Sequence, residues 1–231
     1  MSDLVVLSPC FYPDESTGAL TVESARKQGL DIRLYGVGEI FLPHGADAQI
    51  ARLYSLMSAE KIAEHVLVTD CRDVLFLAGA GEILEKFAGF GKNLVMSTER
   101  ECWPPENDFM TFHGKDKYGY DYINAGQYIG TWEYTLHCLK HLLDVYRGKT
   151  AGADNSQGWW MWAKLRNELD FAMDAGCEIF QSMSGGAAEH VFIEGSRVWN
   201  ALNRSHPCSV HFNGNPGVVD PHGEMYRRLT A

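Results

Sequence analysis

Four short apolar runs, separated by stretches of helical periodicity, constrain this chain more than any other feature of its sequence. Leu4-Val5-Val6-Leu7, bounded by Pro9, has the length and continuity of a strand buried on both faces. Residues 31–35 alternate like a strand, and Val66-Leu67-Val68 and residues 93–97 read as two more. Between them, residues 19–28 form a helical stretch stopped by Gly29. Residues 47–64 carry Ile50, Leu53, Tyr54, Met57, Ile62 and Ala63 at roughly helical spacing, and residues 81–87 fill a short helix. This β-α-β-α-β order predicts an α/β, Rossmann-like fold with a mostly parallel central sheet and helices on both faces. Ligands in such sheets bind beyond the carboxyl ends of the strands. The residues just after Val68 and Met96 therefore stand at a candidate site.

With 231 residues and 45% hydrophobic content the chain can bury one sizeable core, and a single domain over 1–231 is expected. The formal charge of −10 offers no attraction to a nucleic acid backbone or an anionic membrane surface, so neither is expected as a partner. The start, Met1-Ser2-Asp3-Leu4, lacks a basic segment followed by an apolar one, and no run approaches a membrane span; a cytoplasmic location is the expectation. The cysteines at 10, 71, 102, 138, 177 and 208 are scattered without a C-x-x-C pair, which suits buried reduced thiols better than a zinc site or a disulfide framework.

Beyond residue 100 the chain turns aromatic and glycine-rich, with Tyr118-Gly119-Tyr120-Asp121-Tyr122 followed by Asn124-Ala125-Gly126-Gln127-Tyr128-Ile129-Gly130. Helices are expected over 132–146 and about 156–168, and short strands over 178–180, 191–193, 197–199 and 209–211. This half should complete the sheet and add a smaller antiparallel C-terminal part that walls the acceptor side.

The chemistry concentrates in four places. Asp70 and Asp73, in Thr69-Asp70-Cys71-Arg72-Asp73, follow an apolar strand in a tight loop. Carboxylates converging from one turn suit Mg²⁺ or Mn²⁺, although aspartates at strand ends also serve as caps and turn formers. His211 lies in Val210-His211-Phe212-Asn213-Gly214-Asn215-Pro216. Its imidazole is compatible with Mn²⁺ more than with Mg²⁺, while Asn213 and Gly214 can bring an amide and a bare backbone N–H to phosphate oxygens. Asn-Gly and Asn-Pro are equally ordinary turn chemistry. Glu99 and Trp103 follow the strand at 93–97 and offer a hydroxyl acceptor and a flat ring face, or a tryptophan packed under Pro104-Pro105. Asp154, Asn155 and Gln157 open the helix bearing Trp159, Trp160 and Trp162, where they can cap it or recognise a sugar.

Taken together these segments resemble the glycosyltransferase domain of the procollagen lysyl hydroxylases, from about Gly29 to Pro216. Val68-Thr69-Asp70-Cys71-Arg72-Asp73-Val74 is similar to that family's Val-Asp-x-x-Asp-Val metal motif. Ser97-Thr98-Glu99 with Cys102-Trp103-Pro104 matches its Ser-Ala-Glu and Cys-Trp-Pro segment. Tyr122-Ile123-Asn124-Ala125-Gly126 with Ile129-Gly130, Asp174 with Ile179-Phe180-Gln181, and Val210 to Pro216 match three further segments in the same order. The resemblance implies a GT-A fold, with a nucleotide-binding half over about 1–100 and a sugar and acceptor half over about 101–231. It implies Asp70, Asp73 and His211 as ligands of Mn²⁺ or Mg²⁺. It places Arg72, Glu99, Trp103, Asn213 and Gly214 at the donor pocket, and Asn124 near the sugar.

The expected reaction is transfer of a hexose from UDP-glucose or UDP-galactose to a hydroxyl acceptor, with Asp154 nominated as the acceptor base. Two departures from the family pattern stand out. Arg72 replaces an aromatic residue between the aspartates, and a poly-aspartate run is reduced to Asp154-Asn155-Ser156-Gln157. That reduction keeps a second reading open, in which the chain binds a nucleotide sugar or carbohydrate without turning it over.

Overall fold

The computed structural model of the chain describes residues 2–39, 46–148, 156–213, 225, 228 and 229. Among them the elements run in the order β1 (Ser2–Pro9), α1 (Ala19–Lys27), β2 (Ile32–Tyr35), α2 (Ala46–Ala59), β3 (Ala63–Thr69), β4 (Val74–Phe76), α3 (Ala80–Gly89), β5 (Leu94–Glu99) and β6 (Tyr122–Thr131). They continue with α4 (Trp132–Tyr146), α5 (Ser156–Leu165), β7 (Ala172–Met173), β8 (Phe180–Ser182), β9 (Val191–Glu194), β10 (Arg197–Asn200) and β11 (Ser209–His211).

The central sheet has six strands in the order β2-β1-β3-β6-β5-β7. β1 pairs parallel with β2 and β3, and β5 with β7, whereas β6 runs antiparallel to both of its neighbours, β3 and β5. The sheet is thus mostly parallel, as the alternation of elements implies. Its two faces divide the side chains of each strand. Val5 and Leu7 of β1 pack with Ile50, Leu53 and Met57 of α2, Leu139 of α4 and Trp160 of α5. Leu4 and Val6 pack on the other face with Ala25 of α1 and Ile83 and Phe87 of α3. A strand whose side chains are apolar in both directions needs helices on both sides, and receives them.

A second, three-stranded sheet has the order β4-β11-β8, and β9 and β10 form an antiparallel hairpin. β11 is antiparallel to β4 and parallel to β8, so this smaller sheet is mixed rather than wholly antiparallel. β4 comes from the first half of the chain and its partners from the second, which interlocks the two halves.

Several boundaries differ from the sequence reading. The helix expected over 47–64 ends at Ala59, because residues from Ala63 onward are drawn into the sheet, where Ala63 pairs with Ser2 and His65 with Leu4. Sheet pairing there overrides a weak helical period. The helix expected to reach residue 168 ends at Leu165, two residues before Asn167 takes φ of 54°. The strand expected at 178–180 lies at Phe180–Ser182, since the carboxylate of Asp174 accepts the backbone N–H groups of Glu178, Ile179 and Phe180 and holds them in a turn. Helix α4 has the expected bounds. All six cysteines are free, and only Cys102 is not fully buried. No helix among the described residues is long and apolar enough to cross a membrane.

Candidate active site

The site forms where the two sheets meet. β3 ends at Thr69 and β4 begins at Val74, so the acidic loop leaves the central sheet and enters the smaller one. Antiparallel pairing then sets His211 of β11 opposite Val74. The backbone N–H of Phe212 donates to the carbonyl of Asp73 at 2.8 Å, and that of Asp70 to the carbonyl of Gly126 at 2.8 Å. Gln127 fastens the two sheets together, its Nε2 donating to Ser209 Oγ at 2.8 Å.

Asp70, Asp73 and His211 converge as a result, with one ligand atom from each lying within 4.8 Å of the others. His211 Nε2 is 3.3 Å from Asp70 Oδ2 and 3.4 Å from Asp73 Oδ1. Adjacent ligand atoms around a cation with bonds of about 2.1 Å lie about 3 Å apart, so these three groups fit an oxygen- and nitrogen-bound divalent ion with little movement. The imidazole is buried, whereas the Asp70 side chain is 43% exposed, which leaves the ligand set open toward solvent on one side. Burial would lower the pKa of His211, but the flanking charges of Asp73 and Asp70 outweigh it and push the group up to about 10. For Asp73 burial raises the pKa, and the charge and hydrogen bond of His211 together with Arg72 outweigh that and hold it below the usual carboxylate value. This focus of negative potential suits a positive charge at the junction, whether a proton or a divalent cation.

Strand β6 is shaped for this junction. Met96 pairs with Tyr128 but Ser97 pairs with Asn124, so residues 125–127 bulge out of the ladder between β5 and β6. The bulge carries Gly126 beneath the acidic loop. A Cβ at position 126 would lie 2.2 Å from His211 Cε1 and 2.8 Å from Asp70 Oδ2, so only glycine allows this approach.

Glu99, at the end of β5, is 4% exposed. Its Oε1 accepts Gln157 Nε2, and its Oε2 accepts Ser184 Oγ at 3.0 Å and Asn213 Nδ2 at 2.6 Å. Burial pushes its carboxyl pKa up against the hydrogen bonds of Gln157, Asn124 and Ser184. Gln157, at the start of α5, also donates to the Trp103 carbonyl at 2.6 Å and accepts the Ala125 N–H at 3.0 Å. Asn213 turns its Oδ1 to the backbone N–H groups of Met183 and Ser184 at 3.0 and 3.3 Å. Glu99 and Asn213 are thus engaged with protein groups, while the Trp103 ring is 59% exposed.

Two cavities flank Asp70. One, of about 230 Å³, is lined by Trp103, Ala125, Gly126, Gln157, Tyr128 and Trp160 among others. The other, of about 270 Å³, is lined by Pro9, Phe11, Tyr12, Gln49 and the loop from Asp70 to Asp73. The exposed Arg72 lies in the second, where its charge opposes the effect of burial on Tyr12.

The structure therefore gathers Asp70, Arg72, Asp73, Glu99, Trp103, Asn124, His211 and Asn213 around one junction. Asp154 and Gly214 lie outside the described residues. Gln157 is the hub of the opening helical turn, a stronger position than its neighbours suggested from sequence. Phe11, Tyr12 and Ser184 were not singled out from sequence; the carboxyl-end rule points to the first two, since they follow directly on β1.

The family description "PLOD GT domain" matches residues 16–218 of this chain. The protein is 28% identical over 168 residues to procollagen-lysine,2-oxoglutarate 5-dioxygenase 2 of Mus musculus, an alignment covering 67% of this chain and 21% of that protein. It is 27% identical over 240 residues to the multifunctional procollagen lysine hydroxylase and glycosyltransferase of Caenorhabditis elegans, covering 93% of this chain and 31% of that one. The chain thus spans about a fifth to a third of the length of these relatives. In three dimensions it is similar to a glycosyltransferase involved in the glycosylation of the major capsid of PBCV-1, with a TM-score of 0.58, 13% identity and coverage of 97% and 98% of the two chains. That likeness is one of fold, whereas the family match extends over most of the sequence, and the chain belongs to the PLOD glycosyltransferase-domain family.

Proposed function

We propose that this protein transfers a hexose, glucose or galactose, from a UDP-sugar to a hydroxyl-bearing acceptor, with Mn²⁺ held by Asp70, Asp73 and His211. The observation that carries the reading is the convergence of these three groups at an open junction between two cavities. The mixed carboxylate and imidazole set favours Mn²⁺ over Mg²⁺. When bound, the cation supplies positive charge against the negative charge that gathers on the departing diphosphate.

The chain's own residues do the rest. The cavity of Phe11, Tyr12 and Arg72 offers ring faces and a planar cation for the nucleoside end of the donor, and the Arg72 charge is available to pair with the diphosphate. The cavity under Trp103, with Gln157 in its wall, takes the hexose against an exposed ring face. In the transfer the bond from the anomeric carbon to the phosphate oxygen breaks and a bond to the acceptor oxygen forms. UDP departs, and the acceptor proton passes to a base, for which Asp154 is the nominee.

The test is release of UDP from a panel of UDP-sugars, with and without Mn²⁺, by the wild type and by Asp70→Ala and Asp73→Ala. Mn²⁺-dependent release should fall at least 100-fold in both variants while circular dichroism is unchanged. Undiminished turnover in both variants overturns the metal assignment. Donor binding by calorimetry without UDP release from any donor and acceptor pair replaces transfer with carbohydrate binding, the reading that the shortened acidic run motivates.

A further inference from the structure

The hydrogen bonds behind the metal ligands converge on Asn124, and its amide orientation is fixed by an unambiguous donor. The backbone N–H of Gly126 donates to Asn124 Oδ1 at 3.0 Å. The same oxygen lies 3.1 Å from His211 Nδ1. An oxygen that accepts a backbone N–H has no proton to give, so the hydrogen bond to the imidazole requires the proton on Nδ1. Asn124 is 4% exposed and His211 2%, so water does not compete for these contacts.

We infer that the Gly126 N–H, Asn124 and His211 form a backbone–amide–imidazole chain that fixes His211 with Nδ1 protonated and presents the Nε2 lone pair to the cation. Asn124 is then a positioning residue of the metal centre rather than a contact of the donor sugar. This rests on the metal site of the proposed function and adds how that site is set. Metal-bound histidines depend on such partners for tautomer, ring orientation and basicity, and losing one costs about 10- to 100-fold in affinity.

The experiment uses the full chain and Mn²⁺ alone. Calorimetry compares the wild type with Asn124→Ala and His211→Ala. Asn124→Ala should weaken Mn²⁺ binding about 10- to 100-fold. Independently of any variant, ¹H–¹⁵N spectra of the wild type with Zn²⁺ as a diamagnetic probe should show His211 protonated at Nδ1 and metal-bound at Nε2. Binding of Mn²⁺ that is unchanged in His211→Ala removes the metal site itself, and with it the proposed function. Binding that is lost in His211→Ala, with Asn124→Ala within twofold of the wild type or Nε2 carrying the proton, leaves that function standing and overturns the chain. If Asn124→Ala does not fold, the wild-type spectrum alone decides.

Discussion

Gly126 sets how closely the acidic loop and the imidazole approach. A methyl group there would meet His211 Cε1 at 2.2 Å and Asp70 Oδ2 at 2.8 Å, distances no real Cβ contact shows. Gly126→Ala should therefore displace the imidazole, weaken Mn²⁺ binding at least 10-fold and lower UDP release in proportion. The helical circular dichroism should persist, because the clash lies at a strand bulge and not in a helix. Gly89 is the matched control: an added Cβ there meets nothing within 4 Å, and it ends helix α3. Gly89→Ala should leave Mn²⁺ binding unchanged and gain up to about 0.5 kcal/mol in stability. Wild-type affinity in Gly126→Ala, measured by calorimetry, would show that the junction can relax by the width of a methyl group.

At the scale of elements, the pairing of β4 with β11 joins the two ends of the site, and it is also the step the sequence conceals. Asp70 and Asp73 are readable because an apolar strand runs straight into them. His211 is tied to them only through strand pairing, and Val74-Leu75-Phe76 is three residues long, without alternation, with its partner far along the chain. A resemblance to a family supplies the link that local pattern does not. The presence of β3 and β5 and the full extent of α4 are legible because hydrophobic period and flanking residues agree there. The end of α2, the two-residue β7 and the bulge of β6 are not, because each is decided by a neighbour in space.

The hairpin of β9 and β10 gives an element-level prediction. Arg197 of β10 donates to both carboxylate oxygens of Glu82 in α3 at 2.9 and 2.8 Å. Arg197, and after it Lys86, hold the Glu82 carboxyl down to about 2. A depressed folded value means that the contribution is fully present above the unfolded glutamate value near 4.5. It is lost as pH falls from there through about 2. The Glu82 side chain is 35% exposed, so solvent screening limits the contribution to about 1 kcal/mol. Denaturant midpoints of the wild type should therefore fall over this window more steeply than those of Arg197→Ala. Parallel pH profiles would remove this contact from the account.

For the whole molecule, the proposed function has donor and cation bind the folded chain at a junction of two sheets, which would link occupancy to stability. At a ligand concentration about 100 times Kd the gain is about 2.7 kcal/mol, which for a chain of this size raises Tm by roughly 5–10 °C. Addition of Mn²⁺ with UDP should produce this shift in thermal unfolding, and a chelator should reverse it. A Tm indifferent to both would place the ligand site elsewhere. The net charge of −10 works in the same direction, since a multivalent cation relieves part of the repulsion within the acidic junction.

The loop from Thr69 to Val74 is a chain crossing, the single thread by which one sheet hands over to the next at this point. Asp70 belongs to the side it leaves and His211 to the side it enters, and the two meet face to face across the crossing. An ion gripped by both is a rivet through a seam. On the proposed function, the small sheet would then be registered against the large one by the same atoms that hold the cation.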